Sequence, residues 1–398
     1  MPWSDQSTMD QRRQFIEQWL RERNAAAVAK RHGISLKTAW KWIGRFREDG
    51  GRGLEERSRR PVTSPHATDA RVAAALVELR REHPTWGAKK LVARLSAVSP
   101  QLRLPAVSTA SDILDRAGLV RRRRCRRRLP EVGGAWPRGD RPNAMWCADY
   151  KGQFRMGDGQ WCYPLTVTDE HSRFVLACRG YAGIDGNEAK ACFERLFRRY
   201  GLPDAIRSDN GSPFASTGLC RLSRLSVWWM RLGIALRRNL PAHPQHNGRH
   251  ERMHRDLKAQ TTRPPAADLR AQQRCFDRFI EEHNRERPHE ALGQQTPEQH
   301  YRPSTREYPS RLPEPEYPSH YEVRRVAANG CASFWSRWIF LSHALCGQLV
   351  AAVEVDDGAW AIYFGDLRLG LFDLRERRLI DADDDRDVAD AAARDEVA

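Results

Sequence analysis

The sequence predicts a multidomain chain: N-terminal all-α helix-turn-helix units, a central α/β mixed sheet layered with helices, and a C-terminal small all-β barrel. Three observations predict it. Residues 9–118 read as short amphipathic helices punctuated by glycine. From Trp146 three strand-like runs follow in succession, and strands then alternate with helices. Beyond residues 303–318, which hold five prolines, short strands recur between turns at Asn329-Gly330, Asp356-Asp357-Gly358 and Gly365-Asp366. The 398 residues divide into a helix-turn-helix domain at 1–60 and a second helix-turn-helix-like DNA-binding domain at 61–120. An Arg-rich linker (121–142), the α/β core (143–302), a Pro-rich linker (303–318), the barrel (319–380) and an acidic disordered tail (381–398) complete the chain.

In the first domain Phe15, Ile16, Trp19 and Leu20 form one apolar stripe, and Ala25 to Arg31 make a second helix. After Gly33, Ser35 is the expected N-cap of a third helix, KTAWKWIGRFRE. There Ala39, Trp42, Ile43 and Phe46 recur at helical spacing and face inward, which leaves Lys37, Thr38, Lys41 and Arg45 outward. A turn glycine before a helix with a cationic face suits the DNA major groove, although a plain bundle with a basic solvated face has the same pattern. Residues 68–118 repeat the theme, with helices at Asp69 to Glu82 and Lys89 to Leu95 around Pro84-Thr85-Trp86-Gly87. Ser108 or Thr109 caps the last helix, which Gly118 stops.

In the core WCADY, WCYPLTVTD and RFVLACRGY are the strand runs, the first two separated by a turn at Asp158-Gly159. Asn187 to Tyr200 is an amphipathic helix and Asp204 to Ser208 a short strand. Leu219 to Leu232 is helical, Ile234 to Arg238 a strand, Gly248 to Gln260 a helix and Leu269 to Asn284 another.

Charge is unevenly placed. Residues 1–140 carry 30 Lys+Arg against 15 Asp+Glu, so they supply nearly all of the net +16, whereas residues 381–398 hold eight acids and two arginines. A basic first third favours nucleic acid as partner. Within VRRRRCRRRLP, Arg121, Arg122, Arg123, Arg124, Arg126, Arg127 and Arg128 repel one another until phosphates neutralise them, a salt-sensitive backbone anchor. Nine scattered cysteines without a CxxC pair read as reduced thiols. Ile339 to Val355 is too short and too polar to span a membrane. No leader or anchor is expected, and the expected location is the cytoplasm, in association with the nucleoid.

Three acids carry the chemistry: Asp149 in WCADYKG, Asp209 in IRSDNGSPF and Glu251 in HPQHNGRHERMHRDLK. Each alone passes as a strand-end, turn or surface-helix residue. Together, on separate elements beside small or polar residues, they suit Mg²⁺, which takes hard oxygen ligands and substrate phosphates. Asn247, Glu251, Arg255 and Lys258 share one helical face, so a metal-binding carboxylate lies beside two cations that can hold phosphates. His250-Glu251-Arg252-Met253-His254 also matches the HExxH zinc pattern, but Leu257 stands where the extended form needs glycine, leaving Glu281 or Glu282 as distant third ligands.

With GISLKTAWKWI, PTWGAKKLVARL, PLTVTDEHSRF and FIEEHNRERPHEAL, these motifs make the chain resemble, over nearly its full length, a bacterial insertion-sequence transposase of the DDE type with a retroviral-integrase-like catalytic core. The resemblance implies an RNase H-like fold for the core and matches Asp149, Asp209 and Glu251 to the catalytic, metal-holding triad. It matches Lys258 to a lysine that contacts the element's end. It implies end cleavage and 3′-hydroxyl strand transfer on double-stranded DNA, terminal repeats and target alike, with two Mg²⁺ ions and Mn²⁺ able to substitute. A homo-multimer on DNA is expected, and no membrane. The interval from Asp209 to Glu251 is longer than in compact integrases, which suggests that Ser216 to Trp229 inserts an extra helix. The alternatives are an inactive DNA-binding relic or regulator, a simple nuclease of the same fold, and the HExxH zinc hydrolase.

Overall fold

A computed structural model describes residues 7–56, 67–120, 139–150, 152–238 and 248–382. The chain forms two compact units, Met1–Ala67 and Thr68–Ala398. The arginine run, Asn247 and the tail from residue 383 lie outside the described residues.

The first unit holds α1 (Thr8–Glu22), α2 (Ala25–Arg31) and α3 (Leu36–Asp49). Side-chain oxygens of Ser7, Asn24 and Ser35 accept from Asp10, Ala27 and Thr38 N–H, so each helix starts on a side-chain cap. Gly33, at φ 64°, turns the chain between α2 and α3 where a β-carbon would be strained. Phe15, Ile16, Trp19, Val28, Ala39, Trp42 and Ile43 close the core. Two expectations change: Leu20 is 39% exposed and Phe46 is only half-buried, because Leu54 takes the remaining core volume.

The second unit begins with α4 (Ala70–Glu82), α5 (Ala88–Val98) and α6 (Val107–Arg116), packed around Trp86, Leu76, Leu91 and Leu114. Neither Ser108 nor Thr109 caps α6. The helix starts one residue before Ser108, and Ala106 occupies the cap position without a side-chain bond.

The central sheet comprises β1 (Met145–Tyr150), β2 (Phe154–Arg155), β3 (Trp161–Asp169), β4 (Val175–Tyr181), β5 (Ala205–Ser208) and β6 (Ala235–Arg238). Its order is β2-β3-β1-β5-β6, with β4 also on β3. β1 to β4 pair antiparallel, while β1–β5 and β5–β6 are parallel. Parallel neighbours need crossover connections, which α7 (Gly186–Tyr200) and α8 (Arg224–Arg231) supply. On one sheet face Trp146, Ala148, Leu165 and Val167 pack against Phe193 and Phe197 of α7 and Trp228 and Trp229 of α8. The other face carries α9 (Gly248–Thr261) and α10 (Leu269–Glu281), through Met253, Leu257, Phe276 and Phe279.

Several predicted boundaries shift. The Asp158-Gly159 turn joins β2, a strand the sequence hid, to β3. The expected helix 219–232 splits into a 3-10 turn at Leu219–Arg221 and α8, because Ser223 and Ser226 form a capping box. α10 ends at Glu281 and passes into a π-turn, Glu282–Glu286. There the side chain of Asn284 accepts from Val175 N–H and donates to Val175 C=O, at 2.9 and 3.0 Å.

The C-terminal strands do not form a barrel. β7 (Glu322–Arg325), β10 (Leu349–Asp356), β11 (Ala359–Phe364), β12 (Leu367–Asp373) and β13 (Arg378–Asp381) make an antiparallel sheet ordered β13-β12-β11-β10-β7, whose two ends do not pair. β8 (Cys331–Phe334) and β9 (Arg337–Phe340) form a separate hairpin. Closure is unnecessary because the hairpin's Phe334 and Ile339, with Cys220, Leu222 and Val227 from the α8 region, cover the apolar face. Asp381, expected in the tail, belongs to β13 and accepts from Cys220 N–H at 3.0 Å. The Pro-rich segment 303–318 runs along the core: Tyr308 and Leu312 pack on it, and Arg306 donates to Pro203 C=O at 2.7 Å. The eight cysteines among the described residues are free thiols. Among the described residues no helix is long and apolar enough to cross a membrane.

After the π-turn, burial and the nearby charges of Lys90 and Arg287 push the His289 imidazole down to about 3, and burial pushes His283 well below its usual range. Unfolded, both take up protons near pH 6.5, so below that pH the unfolded chain binds more protons and folding weakens. The expected loss approaches about 1.4 kcal/mol per pH unit for each imidazole. Urea denaturation between pH 6.5 and 5 should therefore show a shallower acid loss in His289→Leu than in wild type. Equal slopes would contradict the assignment.

Candidate active site

The parallel pairing of β1 with β5 sets the site. Met145, Trp146 and Cys147 lie opposite Ala205, Ile206 and Arg207. The pairing ends there, two residues before Asp149 on β1 and two before Asp209, the first residue beyond β5. Alternation along a strand puts Cys147 and Asp149 on the same face as Arg207. The face belongs to α9. Asp149 pairs across the antiparallel ladder with Thr166 of β3, and Thr166 meets the helix.

Thr166 Oγ1 donates to the Asp149 carbonyl at 3.0 Å and lies 2.8 Å from His250 Nε2 and 2.7 Å from His254 Nε2. The hydroxyl is thus shared by both imidazoles and the β1 backbone. His250 Nδ1 lies 2.9 Å from Thr168 Oγ1. His254 Nδ1 lies 3.7 Å from Asp149 Oδ2. Both histidines are buried, at 2% and 3% exposure, and they seat the first turns of α9 on the sheet. Glu251, next to His250 in the first turn, is exposed.

Asp209 is half-buried within Asp-Asn-Gly. Burial pushes its carboxyl above the usual range, opposed by the Gly211 N–H that donates to Oδ1 at 3.3 Å. A neighbouring cation would reverse that shift. Beneath the acids Arg207 and Glu170, both buried, form a 3.0 Å ion pair. Asp169, raised by burial, accepts from Asn143 N–H and from the N–H and hydroxyl of Ser172. Sequence reasoning passed over Arg207, Glu170 and Thr166. The available signal was a charged residue inside the apolar run AIRSD.

The zinc alternative fares poorly. Among the described residues Asp149, His250 and His254 place their ligand atoms within 4.8 Å of one another. Thr166 Oγ1, however, lies within hydrogen-bond distance of both Nε2 atoms, so each imidazole already has a partner there. Glu251, needed there as base, is exposed instead of buried with the imidazoles. Glu282 is occupied by Trp86 Nε1 and His83 Nδ1, each at 3.1 Å, and Glu281 pairs with Arg285. The three carboxylates do not themselves form so tight a group. A site with two ions roughly 4 Å apart requires only that one carboxylate neighbour each of the others.

Of the expected DNA contacts, Lys37 and Lys41 are exposed on α3, as are Arg255 and Lys258 on α9. Thr38 is half-buried with its hydroxyl 2.8 Å from Ser35 Oγ, and Arg45 lies 5.0 Å over the Trp42 ring. Arg121, Arg122, Arg123, Arg124, Arg126, Arg127 and Arg128 are outside the described residues.

Comparison with known proteins agrees with this layout. The sequence matches the Integrase core domain family at residues 139–244 and again at 232–297. Homeodomain-like helix-turn-helix families match residues 7–54 and 38–114. An uncharacterised protein of insertion element IS136 from Agrobacterium fabrum is 30% identical over 171 residues, 41% of this chain and 84% of that protein. The Pol polyprotein of feline endogenous virus ECE1 is 33% identical over 136 residues, 34% of this chain, and the Gag-Pol polyprotein of baboon endogenous virus 32% over 130 residues, 33% of this chain. The chain spans only 12% and 7% of the lengths of those polyproteins. Among solved structures, the HTLV-2 integrase catalytic core in complex with magnesium matches at 17% identity and TM-score 0.33, covering 41% of this chain and 99% of that one. The simian T-cell lymphotropic virus intasome in complex with a PP2A regulatory subunit matches at 17% identity and TM-score 0.37, covering 77% and 96%.

The domains are those of an integrase-core protein with homeodomain-like helical domains ahead of the core. This chain belongs to the family of the IS136 insertion-element protein.

The seating of α9 is testable through Thr166→Val, which keeps shape and removes the hydroxyl that two buried imidazoles share. An unsatisfied buried polar group costs about 1–3 kcal/mol, so urea denaturation should show at least that loss and hydrogen exchange should rise in α9. Thr166→Ser should restore both, and a neutral Thr166→Val would contradict the seating.

Proposed function

We propose that this chain is a DDE transposase, a metal-dependent polynucleotidyl transferase that binds the terminal repeats of a mobile element, cleaves the element ends and transfers the 3′-hydroxyl into target DNA. What supports the reading is the β1–β5 register, which ends with Cys147 opposite Arg207, two residues short of Asp149 and Asp209, together with α9, whose first turn bears Glu251. The donor set is entirely carboxylate oxygen, which fits Mg²⁺, and Mn²⁺ as its substitute, better than a softer metal. Asp149, on the strand between the other two, would be the shared ligand, with Asp209 and Glu251 each completing one side. Bound divalent ions would supply Lewis-acid polarisation of the scissile phosphate and of the attacking hydroxyl, without a covalent protein intermediate.

The chain's own groups do the rest. His250 and His254 hold the first turns of α9, which carry Glu251, on the sheet, and Arg255 and Lys258 hold substrate phosphates along the exposed helix. Lys37 and Lys41 enter the major groove with α3, while the arginine run grips backbone without reading sequence. Joining two ends calls for more than one core, so we infer a homo-multimer assembled on double-stranded DNA.

The rival is a DNA-binding regulator that has lost chemistry. A strand-transfer assay with end-repeat DNA separates them. Asp209→Asn should lose roughly a hundredfold or more in Mg²⁺-dependent joining, several kcal/mol of transition-state stabilisation, with DNA affinity unchanged. Equal activity in wild type and Asp209→Asn would remove the enzyme reading.

A further inference from the structure

Beside the carboxylates lies a cavity of about 600 Å³, lined in part by Cys147, Glu170, Arg207 and His250 of the site described above. Its walls come from four places: the Thr85–Lys90 stretch, α9, the sheet, and the segment from His283 to Ala291 that carries the Arg-Pro-His motif. The function proposed above uses only His250 and Arg255 of this lining and leaves the Arg-Pro-His motif unassigned.

The lining holds four carboxylates, Asp169, Glu170, Asp256 and Glu290, each with a partner of its own, and a surplus of cations. Arg287 is only 5% exposed, yet just one of its nitrogens is used, Nη2 donating to Asp256 Oδ2 at 2.6 Å. Arg287 Nε and Nη1 are buried without a hydrogen-bond partner, as are His283 Nδ1 and His289 Nε2. A buried guanidinium normally satisfies its donors, and each unmet one is costly. Lys90, Arg252 and Arg255 also line the space, and none of the three has an ion-pair partner among the described residues. Glu290 is drawn to Lys89 at 2.8 Å instead. The crowding shows in Lys90, which burial, and then Arg287, push down to about 8. A bound oxyanion would meet the two open guanidinium donors of Arg287 and the Lys90 ammonium at once; His283, whose Nε2–H donates to Arg173 C=O at 3.3 Å, is a neutral wall of the space and no donor to it.

We propose that this cavity is a phosphate subsite that receives a backbone phosphate of a nucleic-acid strand, held by Arg287 and Lys90, with Arg252 and Arg255 at its exposed margin. The proposal rests on the reading of the chain as a DNA-acting enzyme. It adds a second anchor that sets where the strand leaves the carboxylates. Because the same cavity is walled by residues on both sides of Trp86, strand binding would also tighten the helical unit's hold on the core.

The test uses the full chain without Mg²⁺ and inorganic phosphate as probe, read by ³¹P NMR line width. Wild type should broaden the phosphate line, Lys90→Met should weaken the effect at least tenfold, and duplex end-repeat DNA should restore the narrow line. Arg287→Met should act like Lys90→Met if it folds, and Lys90→Met decides the matter if it does not. No broadening, or equal broadening by Lys90→Met, overturns the site. Broadening that Lys90→Met abolishes but DNA cannot displace overturns the nucleic-acid assignment and leaves a free anion as ligand. Asp209→Asn should keep phosphate binding while losing strand transfer. If wild type binds phosphate competitively with DNA yet never joins strands, the subsite stands and only the transposase reading falls.

Discussion

Everything at the site follows from one parallel contact, β5 lying beside β1 with Arg207 opposite Cys147. A one-residue slip would send Arg207 to the face of Phe193 and Trp229. The register is held from below by the buried Arg207–Glu170 pair and from the start of β1 by Asn143. The Asn143 side chain accepts from Trp146 Nε1 and Tyr301 OH and donates to Arg302 C=O. Removing one partner of a buried pair leaves an uncompensated charge, so this pairing specifies geometry more than it adds stability.

A second constraint ties three layers together. Residues 282–290 bond to β4 through Asn284, to α9 through Arg287 and Asp256, and to the second helical unit through Glu282 with His83 and Trp86. His83 and Trp86 stack with ring centroids 3.8 Å apart, so their polar edges reach Glu282 together. This is why PTWG and RERPHEAL, far apart in sequence, both resist a reading as simple loops. Each supplies half of one junction.

The helices were legible because their caps and apolar spacing are local: Ser35 before α3 and Asp69 before α4 behave as their chemistry dictates. Asp149, Asp209 and Glu251 stood out through motif context, and the strand register could only be inferred once the sheet order was known. What stayed hidden is non-local. β2 is two residues long and is defined only by its pairing to β3. The C-terminal strands suggested closure because turn spacing cannot reveal that Val227 and the β8–β9 hairpin would cover the sheet. His250 and His254 looked like ligands by spacing alone, and only Thr166, more than eighty residues earlier, turns them into anchors. Leu20 looked like core because periodicity marks a face without saying how wide the partner is.

The central claim is that Asp149 shares divalent ions with Asp209 and Glu251 while the histidines only position the helix. Anomalous scattering from crystals of the full chain soaked in Mn²⁺ tests it most directly. The account predicts manganese coordinated by Asp149 together with Asp209, and by Asp149 together with Glu251 once DNA is bound, with no peak on either imidazole. Manganese held by His250 and His254, or no ion in contact with Asp149 and Asp209, would contradict it.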